Sequence, residues 1–306
     1  MHRRTSLFIE AKFTNESQKK GIEEMTETKQ IGQDISNKDY HMMPGISNSQ
    51  LKVFLEDPRV YHHRFVLGNY IEERKSHFDF GSAVHELSLT GEAPSVAVIP
   101  GEVLSRTGTR AGNIWKAWME AHDGKLMVTQ DEWNRVEDCA NAIERHPIAG
   151  ALVNTAGPVE QSFFSDDTDL ELSLRCRPDK LILTNDGATV IDLKTTSGST
   201  TASQFVRAIA NYGYHYQEHF YRRVLRMNGL DVRRFIFIAV AVNPPHTVDC
   251  YELDEEFQKL AAINVENGLM DLAERIRSKD WQARSANGVV QLAPPNWLKY
   301  SGDYSL

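Results

Sequence analysis

Three charged side chains lie on either side of a short turn in the middle of the chain. The segment runs from Asp179 through Asn185-Asp186 to Asp192 and Lys194. If Asn185-Asp186 is the centre of a tight hairpin, pairing of residues equidistant from the turn puts Asp179 directly opposite Asp192. Opposed residues on one face have Cβ atoms about 4.5–5.5 Å apart, and like charges there repel. A three-residue loop would shift this register.

A divalent cation would offset the repulsion between the two carboxylates. Hard oxygen ligands suit Mg²⁺, and Mn²⁺ can substitute for it. Because side chains alternate along a strand, Lys194 shares the face of Asp192, whereas Leu193 points to the core. This trio suits phosphodiester hydrolysis, in which the cation polarises the phosphate and activates a water while the lysine offsets negative charge. The hairpin alone leaves a second interpretation open, since two carboxylates beside a turn often only keep a loop solvated.

Hydrophobic periodicity predicts the elements that position this hairpin. The fold class is α/β, or α+β, with a central mixed β-sheet flanked by helices. Residues 1–39 carry balanced charges and few large apolar side chains, which predicts a flexible leader before a domain at 40–306. Helices are predicted near 51–55, 58–67, 82–89, 109–122, 130–145, 201–212, 215–228 and 254–277. Strands are predicted near 96–99, 126–129, 159–165, 170–177, 180–184, 188–194, 234–242 and 247–253.

Composition excludes several classes of protein. The 306 residues are 41% hydrophobic and 25% charged, as in ordinary globular proteins. The longest apolar run, 235–242, is far shorter than the roughly 20 residues of a membrane span, and no secretory segment is evident, so we expect a cytoplasmic protein without a membrane partner. Three dispersed cysteines argue against disulfides, structural zinc and iron–sulfur clusters. The net charge of −8 disfavours a polyanionic partner unless basic side chains cluster around Asp179 and Asp192.

Several motifs in the same order extend beyond the hairpin. They are the segment 40–51, a G-x-x-x-H pattern at Gly81 and His85, the segments 176–180 and 191–196, and a Q-x-x-x-Y pattern at Gln217 and Tyr221. In these motifs the chain resembles the PD-(D/E)-x-K nuclease superfamily, in particular the exonuclease VIII type of phage recombination exonuclease in its RecB-like branch. The resemblance covers the chain from Tyr40 to the last predicted helix and implies a PD-(D/E)-x-K nuclease core.

The resemblance also implies roles for individual residues. The implied metal-binding residues are His85, Asp179, Asp192, the Leu193 carbonyl and Glu160. The implied catalytic residues are Asp179, Asp192, Lys194, His85, Gln217 and Tyr221. Without the resemblance, simpler interpretations remain open for three of these residues. His85 would be a core histidine, Tyr221 would be a packing residue and Glu160 would be a solvated side chain at a strand end.

Four arginines are candidates for binding DNA. Arg106 and Arg110 lie in a glycine-punctuated loop that suits gripping a strand end or a 5′-phosphate. Arg177 adjoins the Asp179 motif, and Arg222 begins a basic stretch that extends to Arg234. A solvated connector and a solvated helix face are the respective alternatives.

We therefore expect a magnesium-dependent exodeoxyribonuclease acting on double-stranded DNA ends. The resemblance implies 5′ to 3′ degradation that leaves 3′ single-stranded tails for a single-strand annealing protein, and a ring-shaped homo-oligomer. One alternative is a structure-specific endonuclease or a Cas4- or AddB-like nuclease, although the iron–sulfur relatives use four cysteines. Another is a noncatalytic DNA-end-binding module.

Overall fold

The computed structural model describes residues 32–69, 76–91, 95–282 and 288–294, and it has the predicted mixed α/β architecture. The helices are α1 Asn37–Met42, α2 Asn48–Glu56, α3 Pro58–Tyr61, α4 Ser76–Thr90, α5 Asn113–Ala121, α6 Gln130–Arg145, α7 Pro147–Asn154, α8 Ala202–Tyr212, α9 Tyr214–Met227 and α10 Glu255–Ser278. A π-helical turn, His62–Val66, continues α3, and Gly101–Val103 is a 3₁₀ turn. The strands are β1 Val96–Ile99, β2 Leu126–Thr129, β3 Phe163–Asp167, β4 Leu172–Cys176, β5 Lys180–Thr184, β6 Gly187–Thr196, β7 Val232–Ala241 and β8 Val248–Tyr251.

The central sheet contains the hairpin. Its strand order is β5-β6-β7-β8, and β6 and β7 are parallel while the outer pairs are antiparallel. Helices α8 and α9 make the crossover between the parallel strands, as such a connection requires. Lys180 pairs with Ile191, and Thr184 pairs with Gly187 across the two-residue turn. This is the predicted register, which puts Asp179, just before β5, opposite Asp192.

Both faces of the central sheet are covered by apolar side chains. Along β6, Val190 packs on the face that carries α9, whereas Ile191 and Leu193 pack on the face that carries α4 and α6. Asp192 and Lys194 follow Val190 by two and four residues along the strand. Their side chains therefore lie on the same face as Val190 and point towards α9. The burial of both neighbours of Asp192 therefore holds its carboxylate on one face of the sheet.

Local sequence signals explain where several helices begin. Ser47 and Gln50 form a capping box at α2, and Thr129 and Glu132 form another at α6. Helix α7 was not among the predicted elements. It follows α6 directly, with His146 as its N-cap and Pro147 in its first turn.

The predicted leader meets the folded part of the chain before residue 40. Helix α1 spans the predicted boundary, and Gln33 exchanges backbone hydrogen bonds of 2.8 and 2.9 Å with Ser162. The rest of the predicted leader, 1–31, lies outside the described residues. Among the helices that the structure describes, none combines the length and apolar character that a bilayer crossing requires.

Candidate active site

The Asp179 carboxylate is anchored to the neighbouring strand and to α4. Its Oδ2 accepts a 2.7 Å hydrogen bond from the backbone N–H of Leu193 and lies 3.3 Å from Nδ1 of His85. Since Gly81 and His85 are one helical turn apart, α4 presents both to the cleft described below. The structure thus brings His85 and Asp179 together, as the motif pattern predicts.

Asp192, Lys194 and Gln217 form a closed polar network. Lys194 Nζ makes an ion pair with Oδ1 of the fully buried Asp192 and donates a 3.1 Å hydrogen bond to Oε1 of Gln217. The amide of Gln217 in turn donates from Nε2 to Oδ2 of Asp192. Gln217 therefore orients the lysine and the carboxylate relative to each other.

Burial shifts the pKa values of the acidic groups and the imidazole towards their neutral forms. Burial raises the pKa of Asp179 from 3.8 to about 6, partly offset by Lys194, and it raises the pKa of Asp192 in the same way, also to about 6. Burial, together with the charge of Lys194, lowers the pKa of His85 to about 4. His85 is consequently a neutral imidazole at pH 7, which is the form that binds metal ions.

Lys194 remains charged although it is enclosed. Burial lowers its pKa, but the charges of Asp192 and Asp179 outweigh burial and the net pKa shift is upward. Its Nζ also lies 4.8 Å from the ring centroid of Tyr214, a cation–π arrangement. The site thus keeps an ammonium group beside two carboxylates.

Tyr221 lies at the boundary between the site and the core. Its ring packs against the core and is 6.3 Å from the ring of Phe235. Burial raises its pKa well above 10, and the negative charge of Asp192 adds to this increase. The ring is therefore close enough to the site to sense its charge, and its contacts among the described residues are those of a packing residue.

Glu160 and Arg177 form an ion pair next to Asp179. Arg177 Nη2 donates to Glu160 Oε2 at 2.9 Å. Glu160 was expected on a strand, but it lies in a bend with a φ of 49°, where its N–H donates to the Asp179 carbonyl. The Glu160 charge raises the pKa of both Asp179 and His85. Glu160 is thus adjacent to the site, with one carboxylate oxygen bound to Arg177.

A cleft of about 710 Å³ opens over these residues. Its lining includes Gly81, His85, Glu160, Lys194, Thr195, Arg135, Phe80, Phe205, Tyr212 and Tyr214. Arg135, Tyr212 and Tyr214 were not among the predicted site residues. The cluster of aromatic residues at 212–216 is visible in the sequence, but the packing of α6 and α8 decides which side chains reach the cleft.

The basic side chains do not gather around the cleft as expected. Arg110 makes an ion pair with Glu132, and Arg106 is exposed in its loop. Arg222 makes an ion pair with the buried Glu218 at 2.8 Å and lines a separate cavity with His215 and Gln258. Elsewhere in the basic stretch, carboxylates bind Arg223, Arg233 and Arg234, and Arg226 lines the same separate cavity as Arg222. The 222–234 stretch therefore does not supply the cluster of basic side chains expected around Asp179 and Asp192, because most of its cations pair with carboxylates elsewhere on the protein.

The donor chemistry of the site fits a divalent cation only in part. Among the described residues, no group of three or more His, Cys, Asp and Glu side chains is arranged as a metal site. Asp192 Oδ1 is nevertheless buried, and its contact with Lys194 lacks hydrogen-bond geometry. Together with Asp179 and the neutral His85, it offers the oxygen and nitrogen donors that such an ion binds. The Glu160 carboxylate oxygen that is not bound to Arg177 could add a further donor.

Residues 47–288 match the family described as a PDDEXK-like domain of unknown function (DUF3799). The match includes all the residues of the network and of the cleft. The chain belongs to this family. Its central sheet and flanking helices accordingly form a PD-(D/E)-x-K fold, as predicted, while the family description does not extend to the exonuclease VIII type in particular.

Solved structures also resemble this PDDEXK-like domain. A crystal structure of a protein from Eubacterium rectale, described as a candidate exonuclease, aligns with a TM-score of 0.55 and 14% identity over 89% of this chain and 100% of that chain. At this identity the similarity shows a shared fold. The crystal structure of SSO0001 aligns with a TM-score of 0.26 and 12% identity over 64% of this chain and 88% of that chain, which is too low to inform the fold. No curated protein matches the chain.

Proposed function

We propose that this PDDEXK-like domain is a metal-dependent exodeoxyribonuclease that degrades linear double-stranded DNA from its ends. The observation that carries the proposal is the placement of Asp179 opposite Asp192, with Lys194 bound to Asp192 beneath a cleft. The family match and the name of the Eubacterium rectale protein support a nuclease. Nucleases of this superfamily typically use divalent metal ions.

Asp179, Asp192, His85 and the Leu193 carbonyl would hold the cation, proposed to be Mg²⁺ with Mn²⁺ as a substitute. Glu160 would contribute through the carboxylate oxygen that Arg177 does not bind. When bound, the cation would polarise the phosphate and lower the pKa of water. The hydrogen bond from Leu193 to Asp179 keeps one carboxylate in place before the cation arrives.

Lys194 would act on the phosphate from the floor of the cleft. Its charge can stabilise the negative charge that develops on phosphate oxygens during hydrolysis. Gln217 limits the motion of the ammonium by accepting its hydrogen bond. The cation–π contact with the Tyr214 ring also holds the ammonium, so the lysine is positioned before substrate enters.

The proposal includes the direction of degradation and the partners. We propose 5′ to 3′ degradation in the cytoplasm that leaves 3′ single-stranded tails, an annealing protein that receives these tails, and a ring-shaped homo-oligomer around the DNA. These features are supported by the motif resemblance to the exonuclease VIII type.

One experiment tests activity, metal dependence and polarity together. Duplexes labelled at one 5′ or one 3′ end are incubated with the full chain, with and without Mg²⁺, beside covalently closed circular DNA. We expect Mg²⁺-dependent release of the 5′ label from linear DNA and intact circles. Cleavage of circles would indicate an endonuclease instead, and binding to linear ends without cleavage in Mg²⁺ would indicate a noncatalytic module.

A further inference from the structure

The cleft lining includes an exposed aromatic residue, Tyr212, that the proposed hydrolysis does not use. Tyr212 ends α8, and its side chain is 60% exposed although it lines the cleft. Its ring stacks on Tyr214 with centroids 5.7 Å apart and an angle of 26° between the planes. One face of an aromatic stack is therefore open to the cleft.

The aromatic stack leads directly to the catalytic lysine. Tyr214 packs against Phe237 of β7, with ring centroids 6.0 Å apart. Its ring also makes the cation–π contact with the Lys194 ammonium. The backbone of Tyr212 is also held, because its carbonyl accepts a 2.6 Å hydrogen bond from Lys52 Nζ. Gly213, with a φ of 65°, makes the tight turn between α8 and α9 that brings the two tyrosines together. Tyr212 is consequently an anchored platform.

A second cation, Arg135, lies on another part of the cleft lining. The Arg135 guanidinium lies 5.5 Å from the ring centroid of Phe80. Among the residues that the structure describes, no carboxylate forms an ion pair with it, in contrast to Arg110, Arg177 and Arg222. Its charge is therefore available to an anionic ligand in the cleft.

We infer that Tyr212 and Arg135 form a nucleotide subsite in which a base of a single DNA strand stacks on Tyr212 while Arg135 binds a phosphate of the same strand. A π-face is sequence-tolerant, and stacking with a cationic contact is how proteins commonly hold single strands. The inference rests on the proposed nuclease function and adds that the strand enters the cleft unpaired. The volume of about 710 Å³ is in the range of small-ligand pockets, which suits a nucleotide of a single strand.

Binding without cleavage tests the subsite. The probe is a short single-stranded oligonucleotide with 2-aminopurine at its 5′ end, or at its 3′ end in a second sample, mixed with the full chain in EDTA. We expect the wild type to quench the fluorescence of one probe. Tyr212→Ala should abolish that quenching and weaken binding about tenfold, while Tyr212→Phe should preserve both, because the ring does the stacking. Val206→Ala, an exposed position on the same helix, is the matched control.

The cationic half of the subsite is tested by salt dependence. Arg135→Ala should weaken binding of all sequences alike and reduce the slope of log affinity against log salt by about one. Arg145→Ala, on an exposed position of the same helix, should leave the slope unchanged. Arg135→Lys should restore the slope, which a merely structural role of Arg135 would not predict.

The outcomes separate this inference from the proposed function. Wild-type quenching and affinity in Tyr212→Ala, or an unchanged salt slope in Arg135→Ala, would overturn the subsite even if the protein hydrolyses DNA. Tyr212-dependent quenching in a protein that releases no nucleotides with Mg²⁺ would overturn the nuclease proposal and leave the single-strand subsite in place.

Discussion

The backbone N–H of Leu193 donates a 2.7 Å hydrogen bond to the Asp179 carboxylate. This bond joins the two strands of the hairpin at the point where their carboxylates face each other. A charged oxygen that accepts a backbone hydrogen bond is held more firmly than one that contacts only flexible side chains. The cation site is thereby partly organised by the backbone itself.

Replacing Asp192 or Lys194 should abolish hydrolysis. We expect Asp192→Ala and Lys194→Ala to lower Mg²⁺-dependent nucleotide release from linear duplex DNA by at least about 100-fold, because each removes a charge at the reacting phosphate. Lys259→Ala, an exposed lysine of α10, is the control. Wild-type rates in both site variants would contradict the assignment.

Gln217→Ala should slow hydrolysis without preventing DNA binding. The amide holds Asp192 and Lys194 in one arrangement, so its loss should reduce kcat by about 10–100-fold with a smaller change in KM. Steady-state kinetics on end-labelled duplex measure this, with Gln204→Ala on the exposed side of α8 for comparison. An effect confined to KM would show that Gln217 acts on the substrate instead.

Asp179→Asn should stabilise the metal-free protein near neutral pH. The folded-state pKa of Asp179 is raised by burial to about 6 from 3.8, so its contribution to stability is fully present below about pH 4 and is lost as the pH rises through 6. Removing this charge should add about 1–3 kcal/mol of unfolding free energy at pH 7.5 in EDTA and little at pH 4. Thermal and denaturant unfolding at the two pH values measure the difference.

The same variant should respond less to the cation. Mg²⁺ should raise the Tm of the wild type at pH 7.5, since it binds the folded state, and raise that of Asp179→Asn less. If Asp179→Asn is less stable than the wild type in EDTA at pH 7.5, the prediction fails. That result would show that Lys194 and the Leu193 N–H already offset the cost of burying the Asp179 charge.

His85→Ala should increase the Mg²⁺ concentration needed for half-maximal activity by about tenfold. The imidazole is neutral above its lowered pKa of about 4 and lies 3.3 Å from Asp179, where it can share the cation. A Mg²⁺ titration of nuclease activity measures the change, and His63→Ala, on an exposed position of the π-helical turn, is the control. If His85→Ala needs the same Mg²⁺ concentration as the wild type for half-maximal activity, His85 is a packing residue and does not bind the cation.

Arg222→Ala should affect stability and not DNA binding. It would leave the buried Glu218 without its ion pair, at a cost of roughly 2–4 kcal/mol in unfolding free energy. The salt dependence of DNA binding should stay as in the wild type, because Arg222 lines a different cavity. If Arg222→Ala reduces the slope of log DNA affinity against log salt, Arg222 contacts DNA after all.

The hairpin and most of the element boundaries were predictable because they depend on neighbouring residues. The turn at Asn185-Asp186 sets the register, and strict alternation places Asp192 and Lys194 on one face and Leu193 on the other. Helix α6 spans Gln130–Arg145, as its periodicity predicts, and a capping box marks its start. The sequence by itself therefore determined the facing carboxylates and their lysine.

The tertiary structure decided which distant side chains meet that hairpin. Gln217 reaches Asp192 only because α9 packs on the face of the sheet that carries it, and no local pattern specifies the angle of that packing. The same holds for charge, since Arg222 and Arg223 look free in the sequence yet are bound by Glu218, Asp167 and Glu266. Conversely, Arg135 and Tyr212 resemble ordinary surface residues until α6 and α8 bring them to one cleft. Hydrogen-bond register is set by neighbours along the chain, whereas the partner of a long charged side chain depends on the packing of whole helices.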